Sequence, residues 1–118
     1  MLSKIICEGF EKKGKRNLRD VLDKITNELS KYSLSAEHSS EGMLNKNETW
    51  KYKIPSINAE VKIRHSEEYE QIDQETSNIS NADLIVDFSY LENTDKKDIK
   101  YIRNIFLKNG MKKIKDFY

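Results

Sequence analysis

One cysteine, one proline and four glycines in 118 residues leave this chain few of the devices by which small proteins staple or punctuate their structure. Cys7 has no intramolecular partner, which excludes a disulfide-stapled scaffold and leads us to expect a reducing, cytoplasmic setting. Gly9, Gly14, Gly42 and Gly110 are isolated from one another, so no phosphate-cradling loop of the Walker or dinucleotide type is present. No apolar run approaches the ~20 residues that span a bilayer, and Met1–Cys7 lacks the apolar stretch of a signal peptide. We therefore expect no membrane association.

Metal-binding patterns are missing as well. The two histidines, His38 and His65, stand apart, and the His-x-Glu of His65-Ser66-Glu67 has no Cys-x-x-Cys or second histidine beside it to complete a zinc site. Asp83 and Asp87 share one face of a predicted strand, but lie ~13 Å apart by strand rise, too far to hold one cation together. The sequence thus calls for no metal and no cofactor.

Cations are absent from one long window. Residues 66–92 carry Glu67, Glu68, Glu70, Asp73, Glu75, Asp83, Asp87 and Glu92, with no Lys or Arg. The chain has a net charge of +1, so a −8 window sits inside a +9 remainder.

What is present is periodicity. Its length suits a single domain over residues 1–118, large enough to bury a core. Residues 3–8 alternate weakly, with Ile5 and Cys7 set against Lys4, Ile6 and Glu8, and suggest a first strand. A basic turn follows over Glu11–Arg16, and Asn17 reads as a helix N-cap. Leu18, Val21, Leu22, Ile25, Leu29 and Tyr32 recur at three- and four-residue spacing, which predicts an amphipathic helix over 18–32. The serines and asparagines of 33–47 read as a loop.

Trp50, Tyr52 and Ile54 then alternate with Lys51 and Lys53. After a turn at Pro55–Asn58, Ala59, Val61 and Ile63 alternate with Glu60, Lys62 and Arg64. That pattern predicts an antiparallel hairpin with one wet face. Residues 66–81 read mainly as an acidic loop, with one helical turn near Glu68–Gln74. Asp83–Tyr90 reads as a strand with Leu84, Val86, Phe88 and Tyr90 inward. A second helix is predicted over 95–108, with Ile99, Ile102, Ile105 and Phe106 on its apolar stripe; Asn109-Gly110 stops it. Met111–Phe117 suggests a last short strand. The sum is an α+β, two-layer sandwich in the order β-α-β-β-β-α-(β): a mostly antiparallel sheet of four to five strands with two helices on one face.

Two functional expectations follow. The first is a small non-enzymatic protein-binding module, of the inhibitor or immunity type. It would neutralise a basic partner, such as a nucleic-acid-handling enzyme, through the acidic surface of Glu67, Glu68, Glu70, Asp73, Glu75, Asp83 and Asp87. Complementary charge speeds encounter and selects partners. The alternative is a metal-independent ribonuclease of toxin type, with His38 and His65 as acid and base and Lys62 and Arg64 on the phosphate. A third class, nucleic-acid binding, would use the lysine-rich outer face of the hairpin, Lys51, Lys53, Lys62 and Arg64.

Overall fold

The computed structural model describes residues 4–14, 18–41, 46–71, 73–74 and 77–117. Its elements run β1 (Ile5–Gly14), α1 (Arg19–Leu29), β2 (Ser35–Glu41), β3 (Lys46–Ile54), a 3₁₀ turn (Pro55–Ile57), β4 (Ala59–Gln71), β5 (Ser77–Leu91), α2 (Lys96–Lys108) and β6 (Lys112–Phe117). The six strands form one antiparallel sheet in the order β2-β3-β4-β5-β1-β6. The fold is α+β, with both helices on one face and the other face open.

The pleat explains the layering. Along β5, Ala82, Leu84, Val86, Phe88 and Tyr90 are all buried, while the residues between them are only partly covered. Directly opposite on β4 stand Glu67, His65, Ile63, Val61 and Ala59, also buried. Tyr52 and Ile54 extend this face on β3, and Phe10 on β1. Leu22, Ile25 and Leu29 of α1 and Ile99, Ile102, Ile105 and Phe106 of α2 close over it. The Phe106 ring packs 4.9 Å from Phe10 and 6.1 Å from Phe88, centroid to centroid. The helices also meet each other. Lys108 ion-pairs with Glu28, the Asn109 amide donates to Glu28 at 3.1 Å, and the Tyr32 hydroxyl donates to Asp98 at 3.0 Å.

Local chemistry sets the ends. Asp95 caps α2 by accepting from the Lys97 N–H at 2.9 Å, and Gly110 takes the left-handed φ of +84° just beyond it. The β3–β4 connection turns through Asn58 at φ 52°, one of the few residue types that tolerate that region. The register matches expectation: Trp50 faces Ile63, Tyr52 faces Val61, and Ile54 faces Ala59.

Five expectations are corrected. Ser35–Glu41, read as loop, is an edge strand, because pairing with β3 satisfies the backbone of a segment with no apolar pattern. Residues 66–71 and 77–81, also read as loop, prolong β4 and β5, which raises the strand count to six. In β1 the inward set is Ile6, Glu8 and Phe10, and Ile5 is 63% exposed; a glutamate occupies a core position because α2 brings it an arginine. Trp50 is half-buried, since no helix lies over the β2 edge beside it. The first helix is shorter than its apolar pattern, and the Asn17 cap lies outside the described residues.

Phe106→Ala is expected to cost ~3–5 kcal/mol and Leu22→Ala ~2–5 kcal/mol in urea denaturation. Lys62→Ala, on the open face, is expected to stay within ~0.5 kcal/mol of wild type. A Phe106→Ala loss no larger than that of Lys62→Ala would contradict this core.

Candidate functional site

Two polar clusters lie on the helix-side face, and the acidic window ends in a projecting ribbon. The first cluster surrounds Glu8, 1% exposed. Arg103 of α2 grips it with two hydrogen bonds of 2.7 Å, from Nε and from one terminal nitrogen. The Tyr90 hydroxyl donates at 2.5 Å, and Lys113 Nζ of β6 stands 3.4 Å away. Burial alone would push the Glu8 carboxyl up. The hydrogen bonds from Arg103 and Tyr90, with the charges of Arg103 and Lys113, outweigh it and hold the group below the usual carboxylate range. Arg103 and Tyr90 also line a cleft of about 520 Å³ beside α2, which Glu92, Lys96 and Lys100 edge with mixed charge.

The second cluster lies beyond the N-terminus of α1. His65 and Glu67 are 2% and 6% exposed, and His65 Nε2 lies 3.2 Å from Glu67 Oε1, off the line of a hydrogen bond. The other Glu67 oxygen accepts from the Tyr69 hydroxyl. Across the strand pair stands Glu48, which takes Arg19 at 3.1 Å and has His38 Nε2 at 3.7 Å. His38 stacks on Trp50 with centroids 4.8 Å apart, and the Arg19 guanidinium sits 5.8 Å from the same ring. Burial pushes the His65 imidazole below its ordinary value; Arg19 adds to this, while Glu67 and Glu48 oppose it.

The ribonuclease set is therefore divided. His38 and His65 share the helix-side face, on strands β2 and β4 with β3 between them. Lys62 and Arg64 alternate onto the open face, so no phosphate bound there reaches either imidazole. The four hairpin cations do gather on that open face, but interleaved with acid: Lys51 pairs with Glu60 at 3.4 Å and Arg64 with Asp87 at 3.7 Å. Among the described residues, no group of three or more His, Cys, Asp or Glu side chains is arranged to hold a metal ion.

The acidic window is divided too. Glu67 is buried with His65, Asp87 is paired with Arg64, and Asp83 is half-buried with one carboxylate oxygen lacking a hydrogen bond. Glu75 lies outside the described residues. Glu68, Glu70 and Asp73 are exposed. They occupy the far end of the β4–β5 hairpin, beyond Lys46↔Glu67, the last pair with β3 among the described residues. Among the described residues the sheet is two strands wide from Glu68 outward, and the register skips Ser80 between Glu68↔Asn81 and Tyr69↔Ile79. Such a bulge increases twist and turns a ribbon away from the sheet plane. The molecule is long accordingly, 59 × 26 × 24 Å.

Sequence reasoning missed Glu8, Glu48, Arg19 and Arg103. The signal for Glu8 was present: Ile6 and Phe10 flank it at the period of two. The partners of Glu8 and Glu48 come from helices far along the chain, and no local pattern announces them. Compared with known proteins, the chain matches no protein-family model, and no curated protein matches it in sequence. The fold class is thus what can be stated of its kind: an open-faced antiparallel sheet backed by two helices.

Two outcomes test these clusters. A folded-state pKa below the ordinary value makes His65 a source of stability that is complete above about pH 6.5 and is lost as pH falls through the folded value. Unfolding midpoints should therefore drop between neutral pH and pH 5, and His65→Leu should flatten that limb. A limb unchanged by the substitution contradicts the assignment. Separately, Arg103→Leu should destabilise by about 3 kcal/mol, the low end for a broken buried pair because Tyr90 and Lys113 remain on Glu8. Equal stability of that variant in denaturant would remove Arg103 from the account.

Proposed function

We propose that the chain is a protein-binding module that engages a basic partner through the acidic end of the β4–β5 hairpin. The observation that carries this reading is the two-stranded ribbon with exposed Glu68, Glu70 and Asp73. A two-stranded ribbon gains little stability by itself. Exposed charges add ~1 kcal/mol or less each to a fold, so this composition suits a partner more than it serves the fold.

A narrow, twisted, anionic finger fits the groove of a protein that handles nucleic acid, where it stands in for the phosphate backbone. An inhibitor or immunity-type role follows: occupancy of the groove excludes the nucleic acid. The rest of the molecule supplies a rigid mount, since the same two strands continue inward to the buried ladder of Val61, Ile63, Val86 and Phe88. The ribonuclease reading draws less support: His65 is 2% exposed, and a general acid or base must reach the substrate.

Wild type and a variant carrying Glu68→Gln, Glu70→Gln and Asp73→Asn should be used side by side as bait in native lysate. A basic protein is expected on wild type at low salt, and absent on the variant and at high salt, because exposed charges are screened beyond ~8–10 Å at physiological ionic strength. With that protein in hand, the triple variant should slow association while its own melting temperature barely moves, exposed charges being worth ~1 kcal/mol or less each. Equal on-rates and equal salt dependence would remove the ribbon from recognition. RNA cleavage by wild type in chelator, lost in His65→Ala, would establish the enzymatic reading instead.

A further inference from the structure

The two edges of the sheet are treated differently. β6 is a lysine-rich edge, with Lys112, Lys113 and Lys115 in six residues, and its pairing with β1 is interrupted by a register shift between Gly9 and Phe10. Charge, especially lysine, and bulges are the usual means of keeping an edge from pairing further. β2 has neither. Its seven residues, Ser35-Ala36-Glu37-His38-Ser39-Ser40-Glu41, contain no lysine and no proline and pair with β3 in unbroken register. Residues 35–40 are all exposed, and among the described residues nothing pairs with the outer side of β2. No helix lies over it, because Ala36, His38 and Ser40 on the helix side are as open as their neighbours.

We infer that β2 pairs antiparallel with β2 of a second copy, about a two-fold axis through His38, to give a dimer with one continuous sheet. The strand is self-complementary. A two-fold axis normal to the sheet keeps both pairs of helices on one face, and residues opposite one another must then share a face. Only registers shifted by an even number of residues satisfy this.

With His38 on the axis all seven residues overlap. Glu37 then stands opposite Ser39 of the second copy, so its carboxylate meets a hydroxyl that can donate to it. A shift of two residues one way sets Glu37 against Glu37; the other way sets it against Glu41. Like charges directly opposite destabilise a pair. The sequence therefore favours one register among the competitors. It is a closed pairing, because each copy has a single edge of this kind and β6 is guarded. This inference stands apart from the acidic ribbon, which belongs to the β4–β5 hairpin.

Sedimentation velocity of the full chain over a concentration series tests it, with position 39 as the probe. Wild type should show a monomer–dimer equilibrium. Ser39→Glu, which puts a carboxylate opposite Glu37 twice in the dimer, should raise the dissociation constant roughly tenfold. Ser39→Lys should lower it, and Glu37→Lys combined with Ser39→Glu, which sets the same opposite charges face to face, should reverse the loss and lower it as well. Thermal midpoints of the variants establish that each is folded. A monomer at every concentration, an open-ended assembly, or a dimer indifferent to the charge at position 39 would overturn the inference.

Discussion

The thirteen-pair ladder between β4 and β5 is the constraint on which the rest of this structure depends. It fixes which side of each strand faces the helices, and hence which residues have to be apolar, paired or wet. Inward of Glu67 it is buried under α1 and α2; outward of it, among the described residues, the same two strands continue without β1 or β3. A core scaffold and a projecting charged ribbon are two stretches of one hairpin. Neither can change register without the other, because a slip by one residue would turn Val61, Ile63, Val86 and Phe88 to solvent.

Charge burial at the margins follows from the same alternation. Once Phe10 and Ile6 face inward, Glu8 must as well, and it is tolerated because Arg103, Tyr90 and Lys113 reach it from α2, β5 and β6. His65 and Glu67 are carried inward in the same way at the far end of the apolar ladder. There the core gives way to Glu48, Arg19, His38 and Trp50. Burial leaves an imidazole that prefers to be neutral, with a carboxylate 3.2 Å away. The polar rim thus closes the helix-side core where α1 begins, and its chemistry is that of an ion-pair network between strands and helix.

Much of the fold was legible in the sequence, and the reasons are local. The stripe of Leu22, Ile25 and Leu29 and that of Ile99, Ile102 and Phe106 have the helical period. Trp50–Ile54, Ala59–Ile63 and Leu84–Tyr90 have the strand period, and their register follows from it. What was not legible lacked an apolar signal. β2 is serine and glutamate apart from Ala36 and His38, and Ser66–Gln71 is polar apart from Tyr69; β2 is a strand because strongly patterned β3 offers it hydrogen bonds, and Ser66–Gln71 because it continues the strongly patterned first half of β4. The acidic window was legible as composition but not as a surface. Its alternation across a strand pair sends Glu67 inward and Asp87 toward Arg64, while Glu68, Glu70 and Asp73 stay exposed. Likewise, Lys62, Arg64 and His65 are neighbours in sequence that the pleat separates.

The account's central claim is that recognition is confined to the end of the β4–β5 hairpin. The most direct measurement is an amide chemical-shift map of the isotopically labelled full chain, recorded with and without the basic protein retained from lysate. The account predicts perturbations concentrated in Ser66–Gln71 and Ser77–Asn81, with the amides of Lys51, Lys53, Lys62 and Lys96 undisturbed. Perturbations centred on the open face of β3 and β4, or on the cleft beside α2, with a silent ribbon, would contradict it.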